Sequence, residues 1–195
     1  MTTYEEEIYK FSTKDGNFET ICDIIDQFQI IKHQLREDFW KEVITQLDLF
    51  LEEYPHWKRW KFSELNSKSA ITIYREEFCK ERENAAKISI RIEKLSDVPW
   101  YGLMIDRDQT WDDTEIKDLW EKAKELKSGN FKIGNINGWW WPLFNVLPYN
   151  FDSTKDLKQI TPEKRHFIVA DTLEHLKNGM KELIPFAEKY FLEGS

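Results

Sequence analysis

The sequence is poor in the residues that interrupt or staple a chain: of 195 residues, 7 are glycine, 6 proline and 2 cysteine. So few breakers predict long elements with short connections, and no Gly/Ser linker, low-complexity tract or internal repeat divides the chain. Cys22 and Cys79 have no CxxC partner, which predicts reduced, mostly buried thiols rather than a disulfide framework. The longest uninterrupted apolar runs are a few residues, far short of the roughly 18 to 20 needed to cross a bilayer, so no membrane association is expected. The opening MTTYEEEIYK carries three consecutive glutamates and no apolar stretch, so neither a secretory signal nor a transit peptide is expected, and the cytoplasm is the expected compartment. Basic residues are also in the minority: 28 Lys and Arg against 36 Asp and Glu give a formal charge of −8. That balance disfavours a general electrostatic grip on nucleic acid and leaves open only a local basic patch.

Aromatic residues, by contrast, are abundant: 9 Trp, 7 Tyr and 13 Phe make up 15% of the chain within a hydrophobic fraction of 41%. This is ample material for a core, and it predicts one folded domain over residues 1–195, with residues 1–15 as a flexible N-terminus. From Phe18 to Tyr54 apolar residues recur every three or four positions with no Gly or Pro between them, which predicts one helical stripe. A continuous helix of this length would extend about 55 Å, longer than such a domain is wide, so it either breaks near His33-Gln34 or protrudes and packs on a partner.

Residues 70–76, 87–94 and 100–106 read as strands. In the second, Ile88, Ile90 and Ile92 alternate with Ser89, Arg91 and Glu93, the pattern of an antiparallel sheet with one buried face. Thr110 with Asp113 opens a helix to about Lys127. Asn137-Gly138 is the strongest hairpin signal, and Pro142 points to an edge strand or irregular segment for its second arm. Thr161-Pro162-Glu163 starts a last helix that Gly179 and Pro185 should kink or split. The predicted fold class is α+β: N-terminal helices, a small antiparallel sheet of three to five strands, and C-terminal helices packed on it.

Catalytic and metal-binding patterns are weak. No two of His33, His56, His166 and His175 share a helical turn, and no cofactor or metal site is expected. Asp106-x-Asp108 begins like a calcium loop, but Trp111 and Lys117 stand where that loop needs glycine and glutamate. Helix capping and a solvated turn explain Asp106, Asp108, Asp112, Asp113 and Glu115 better. GxSxG and phosphate-cradle motifs are missing.

Two aromatic segments remain. In His56-Trp57-Lys58-Arg59-Trp60-Lys61 cations interleave with rings, as a single-strand or phosphate contact would require through Trp57, Arg59 and Trp60; a helix C-terminus covering the core edge is the better explanation. The surrounding charge favours the second explanation, since residues 1–65 hold 8 basic and 14 acidic residues. In Trp139-Trp140-Trp141 successive side chains of an extended segment face opposite sides. At least one indole is then expected in a groove, an interface or solvent, unless the segment is sandwiched between two layers.

The stretch Leu35-Arg36-Glu37-Asp38-Phe39-Trp40-Lys41-Glu42-Val43, followed by Ile88-Ser89-Ile90-Arg91-Ile92 and Trp100-Tyr101-Gly102-Leu103, resembles the C-terminal accessory portion of certain bacterial PD-(D/E)XK nuclease-superfamily proteins. There a helical segment precedes a small sheet and a Trp-containing helix, here the one holding Trp120. The superfamily's catalytic Glu-x-Lys belongs on a strand, whereas Glu115-Ile116-Lys117 and Glu125-Leu126-Lys127 fall in a predicted helix, so no catalytic residue carries over. The resemblance implies a binding or regulatory role.

The sequence therefore favours a non-catalytic cytosolic interaction module of bacterial or phage origin. It would bind a protein partner through Trp139, Trp140, Trp141, Trp57, Arg59 and Trp60, with the long N-terminal helix as a further surface. Three alternatives stand beside it: a phage inhibitor of a nucleic-acid-targeting defence enzyme, a metal-dependent nuclease using Asp106, Asp108 and Asp112, and a single-strand nucleic-acid-binding protein. The oligomeric state is left open.

Overall fold

The structure, a computed structural model, describes residues 2–54, 57–63, 70–78, 88–94, 98–105, 113–126, 131–134 and 141–192. The described residues open with α1 (Thr3–Ser12). A capping box fixes its start: the Glu5 backbone N–H donates to Thr2 Oγ1 at 3.3 Å, and the Thr2 backbone N–H donates to Glu5 Oε2 at 2.7 Å. A short turn follows, in which Gly16 adopts φ 78°, a left-handed conformation that costs glycine little. Asn17 then opens α2 (Asn17–Glu53), and its side chain donates back to the Phe11 carbonyl at 2.8 Å.

Helix α2 runs for 37 residues without a break, so of the two outcomes set by its length the chain takes the protruding one. Its buried residues all lie in the second half: Phe39, Trp40, Val43, Leu47, Phe50 and Leu51. Ion pairs hold the middle and second half of the helix to the body. Lys32 and Arg36 reach Asp152, and Arg165 bridges Glu42 at 3.1 Å and Asp38 at 3.4 Å.

Six strands form one antiparallel sheet: β1 (Trp60–Ser63), β2 (Ala70–Arg75), β3 (Ile88–Glu93), β4 (Trp100–Ile105), β5 (Lys132–Ile133) and β6 (Leu143–Val146). Their order is β1-β2-β3-β4-β6-β5. The register aligns Phe62, Ile73, Ile90, Leu103, Leu143 and Ile133 across the whole sheet, a single apolar row on the inner face. A 3-10 turn, Glu76–Phe78, follows β2. Helix α3 (Asp113–Glu125) precedes β5, and the short α4 (Thr154–Leu157) precedes α5 (Arg165–Leu192). Helix α5 packs on β3 and β4, and α2 packs on α5, so the core lies between the inner sheet face and this helical layer.

The α+β class and three of the strands stand where the periodicity puts them, while several details differ. The sheet has one strand more than the three to five expected, because Trp60–Ser63, read as a helix C-terminus, pairs with β2 as an edge strand. Strand β6 is not an edge but lies between β4 and β5. Pro142 is tolerated because it stands just before the strand, where only its carbonyl is used, accepting from the Gly134 N–H at 3.3 Å. Neither Gly179 nor Pro185 splits α5. Gly179 has a packing role instead: a Cβ there would lie 2.4 Å from Cε2 of Tyr101, so the strand's ring presses directly on the helix backbone. The hairpin turn at Asn137-Gly138 lies outside the described residues, though Lys132 and Ile133 do pair with Phe144 and Leu143. Cys22 is exposed on α2 rather than buried, and Cys79 lies outside the described residues.

Candidate functional site

The described tryptophans of the two aromatic segments, Trp57, Trp60 and Trp141, are buried. Trp141 is 6% exposed and packs on Trp100, ring centroids 4.5 Å apart, with Phe144 edge-on to the same ring at 5.9 Å. Trp139 and Trp140 lie outside the described residues. Trp57 is buried, stacked on Tyr54 at 4.8 Å and edge-on to Phe50 at 5.2 Å, so it belongs to an aromatic cluster of its own chain. Trp60 is buried against Phe78 and donates from Nε1 to Glu188 Oε1 at 3.1 Å. Among the described residues of this set only Arg59 is exposed, 3.6 Å from Glu77.

Trp60 opens β1 beside Arg75, which closes β2 in the paired register, and the two share a partner on α5. Arg75 is a buried guanidinium that donates to Glu188 at 2.7 Å and grips Glu77 through two nitrogens, at 2.6 and 3.2 Å. The bidentate bond raises the Arg75 pKa above its ordinary value, and Arg75 in turn holds the Glu77 carboxyl down at about 2. Two acids and one buried cation with every guanidinium nitrogen engaged make a structural clamp between β1, β2 and α5. No free acid, base or nucleophile is left over for chemistry in this network.

Among the described residues no group of three or more His, Cys, Asp or Glu could hold a metal ion. Asp106, Asp108 and Asp112 lie outside them. Glu115 and Lys117 are on α3, so this Glu-x-Lys is helical. No described helix is long and apolar enough to cross a membrane. An open groove of about 710 Å³ runs between α3 and α5, lined by Lys122, Lys181, Lys189, Glu125, Phe186 and Tyr190 among others. Lys122 pairs with Asp118 and lies over the Tyr190 ring at 4.9 Å, and Glu125 and Glu182 line the groove beside the lysines, so it presents charges of both signs to a ligand.

The surface that does depart from an ordinary solvated exterior is the N-terminal arm, formed by α1 and the first half of α2. Phe18 is 64% exposed, Ile24 61% and Ile31 54%, and Ile25 and Phe28 are exposed beside them. On α1, Tyr4, Ile8 and Phe11 are also exposed, at the i, i+4, i+7 spacing of one helical face, and no residue of α1 is buried. Scattered exposed apolar residues are normal, but a contiguous row along a projecting helix is not. The signal was present in the sequence as the uninterrupted period from Phe18 to Tyr54. The spacing could not show where along that stripe the protein's own core stops, and the structure puts that limit near Lys32–Phe39.

Comparison of the chain with protein-family models, with curated proteins and with solved structures returned no match.

Proposed function

We propose that this protein is a non-catalytic interaction module whose N-terminal helical arm docks a protein partner, working in the cytoplasm of a bacterium or phage-infected cell. The observation that carries the proposal is the row of exposed Phe and Ile side chains on the first half of α2, where the helix has left its own core. Burying such side chains is worth about 1.5–3 kcal/mol each, which is unused while the arm stands in water. The clamp at Arg75 and the burial of Trp57, Trp60 and Trp141 support it from the other side, because those residues already work in the fold. A binding role also agrees with what the resemblance to nuclease accessory regions implies.

The test compares immobilised wild-type chain with I25S/I31S. Both positions are exposed, so the variant should keep the unfolding midpoint of the wild-type monomer. Wild-type beads should retain a protein, either another species or further copies of this chain, that the variant does not. Equal retention by both would refute docking through the arm.

A further inference from the structure

Resting on the arm as a docking surface, we infer that its occupant is a second copy of this chain, the two α2 arms lying antiparallel with their apolar stripes facing. The stripe is built from Phe18, Ile21, Ile24, Ile25, Phe28 and Ile31, all on one side of the helix at 3.6 residues per turn. Charge selects the occupant. The positions that border the stripe are Thr20, Gln27 and Gln34 on one side and Cys22, Gln29 and His33 on the other. Border charges at these places set partner choice in paired helices, and here none is a carboxylate, a lysine or an arginine, while Lys32, which falls on the stripe's own face at its inner end, is taken up by Asp152 of the body. The arm's acids Glu19, Asp23, Asp26 and Glu37 point to the opposite side of the helix. A basic partner would find no acidic border to pair with, whereas an identical arm meets neutral borders and keeps its own acids on the outside. The area fits as well. At ~200 Å² for each large side chain, the exposed portions of the stripe amount to about 500 Å². The bordering residues bring this toward the roughly 800 Å² per partner of a standard interface.

The orientation follows from the continuity of α2. The arm's stripe lies within about a quarter turn of the face that buries Phe39, Val43 and Leu47, so the protein's own body occupies the stripe side beyond Lys32. A parallel copy would drive each body into the other's helix. An antiparallel copy avoids this: Phe18 meets Ile31 of the second copy, Ile21 meets its Phe28, and Ile24 and Ile25 meet at the centre.

Sedimentation equilibrium from micromolar to hundreds of micromolar protein tests the association. Wild-type should populate a species of twice 23.6 kDa. I24K/F28K should weaken dimerisation by about a hundredfold or more, each central side chain counting for at least about tenfold. E19K/D26K, which adds lysines to the outer face, should leave the dimer intact. Spin labels at Gln34→Cys, with Cys22 and Cys79 replaced by serine, should lie ~30 Å apart in the antiparallel pair and about 10 Å apart in a parallel one. A wild-type monomer throughout the range, or the short distance, overturns the inference. If a wild-type monomer still retains a different protein that I25S/I31S loses, the docking role survives with another occupant. If I24K/F28K lowers the unfolding midpoint of the monomer, the stripe belongs to the protein's own core and both proposals fall.

Discussion

Replacing Gly179 by alanine sets two effects of known sign against each other. Alanine is the better helix former in the interior of α5 by about 1 kcal/mol, so helix propensity alone predicts a more stable protein. Against this, the new Cβ would stand 2.4 Å from Cε2 of Tyr101 and 3.1 Å from its Cζ and hydroxyl oxygen. Carbon atoms pack at about 3.5–4.0 Å, so the ring must move by about 1 Å. It is poorly free to do so: Tyr101 is 3% exposed, its hydroxyl donates to the His175 carbonyl at 3.1 Å, and Asn145 donates to it at 3.4 Å. Overpacking of this kind costs about 1–3 kcal/mol, and loss of the hydroxyl's hydrogen bond adds about 1 kcal/mol. Gly179→Ala should therefore destabilise by about 1–3 kcal/mol net. The decisive assay is a double-mutant cycle by urea unfolding. Tyr101→Leu removes the three atoms nearest the new Cβ, so Gly179→Ala made in that background should be neutral or stabilising by up to about 1 kcal/mol. A coupling energy below about 0.5 kcal/mol, or a stabilising effect in the wild-type background, would refute the claim that the glycine exists to admit the ring.

Gly102→Ala should cost more, about 3 kcal/mol or above, since its Cβ would fall 2.1 Å from the Leu143 carbonyl oxygen, which belongs to the neighbouring strand's backbone and cannot rotate aside; thermal unfolding should drop by about 6–12 °C. Acid should weaken the clamp on β2. The Glu77 carboxyl titrates at about 2 in the folded protein against an ordinary value of 4.5, so its contribution is complete above pH 4.5 and is lost as pH falls toward 2. Because the Glu77 side chain is 41% exposed, that contribution should stay under about 1 kcal/mol, and Glu77→Gln should flatten the stability profile only within this interval. Cys22 should react with a thiol reagent in the native protein, and Cys22→Ser should remove one rapidly reacting equivalent.

Local periodicity carried most of the architecture. Ile88, Ile90 and Ile92 announce an inward face, and the glycine- and proline-free run from Phe18 to Tyr54 announces α2. What local pattern could not carry was competition between elements. Trp60 to Ser63 has the cations and rings of a helix terminus, yet pairing with β2 and the bond from Trp60 to Glu188, far along the chain, make it a strand. Gly179 looks like a helix breaker until the ring that needs its missing side chain is known. The candidate site was legible only in outline. Tryptophan content drew attention to Trp57, Trp60 and Trp141, which the tertiary fold buries, while the stripe that stays exposed was written in ordinary Ile and Phe. Burial is decided by what packs opposite, and that information is not local.

Because α2 is a single unbroken rod, the aim of the arm is keyed to the core by residue count alone. One residue inserted between His33 and Gln34 would leave the packing from Phe39 to Leu51 untouched. The same insertion would swing every arm side chain by about 100° and lengthen the rod by about 1.5 Å. The Phe18 to Ile31 row would then point sideways, and only changes close to a whole number of turns, such as about seven, eleven or eighteen residues, would return it to near its original bearing. In any lineage that uses this arm, insertions and deletions along the exposed half of α2 should come in steps close to whole numbers of helical turns, even though the packing from Phe39 to Leu51 would tolerate others.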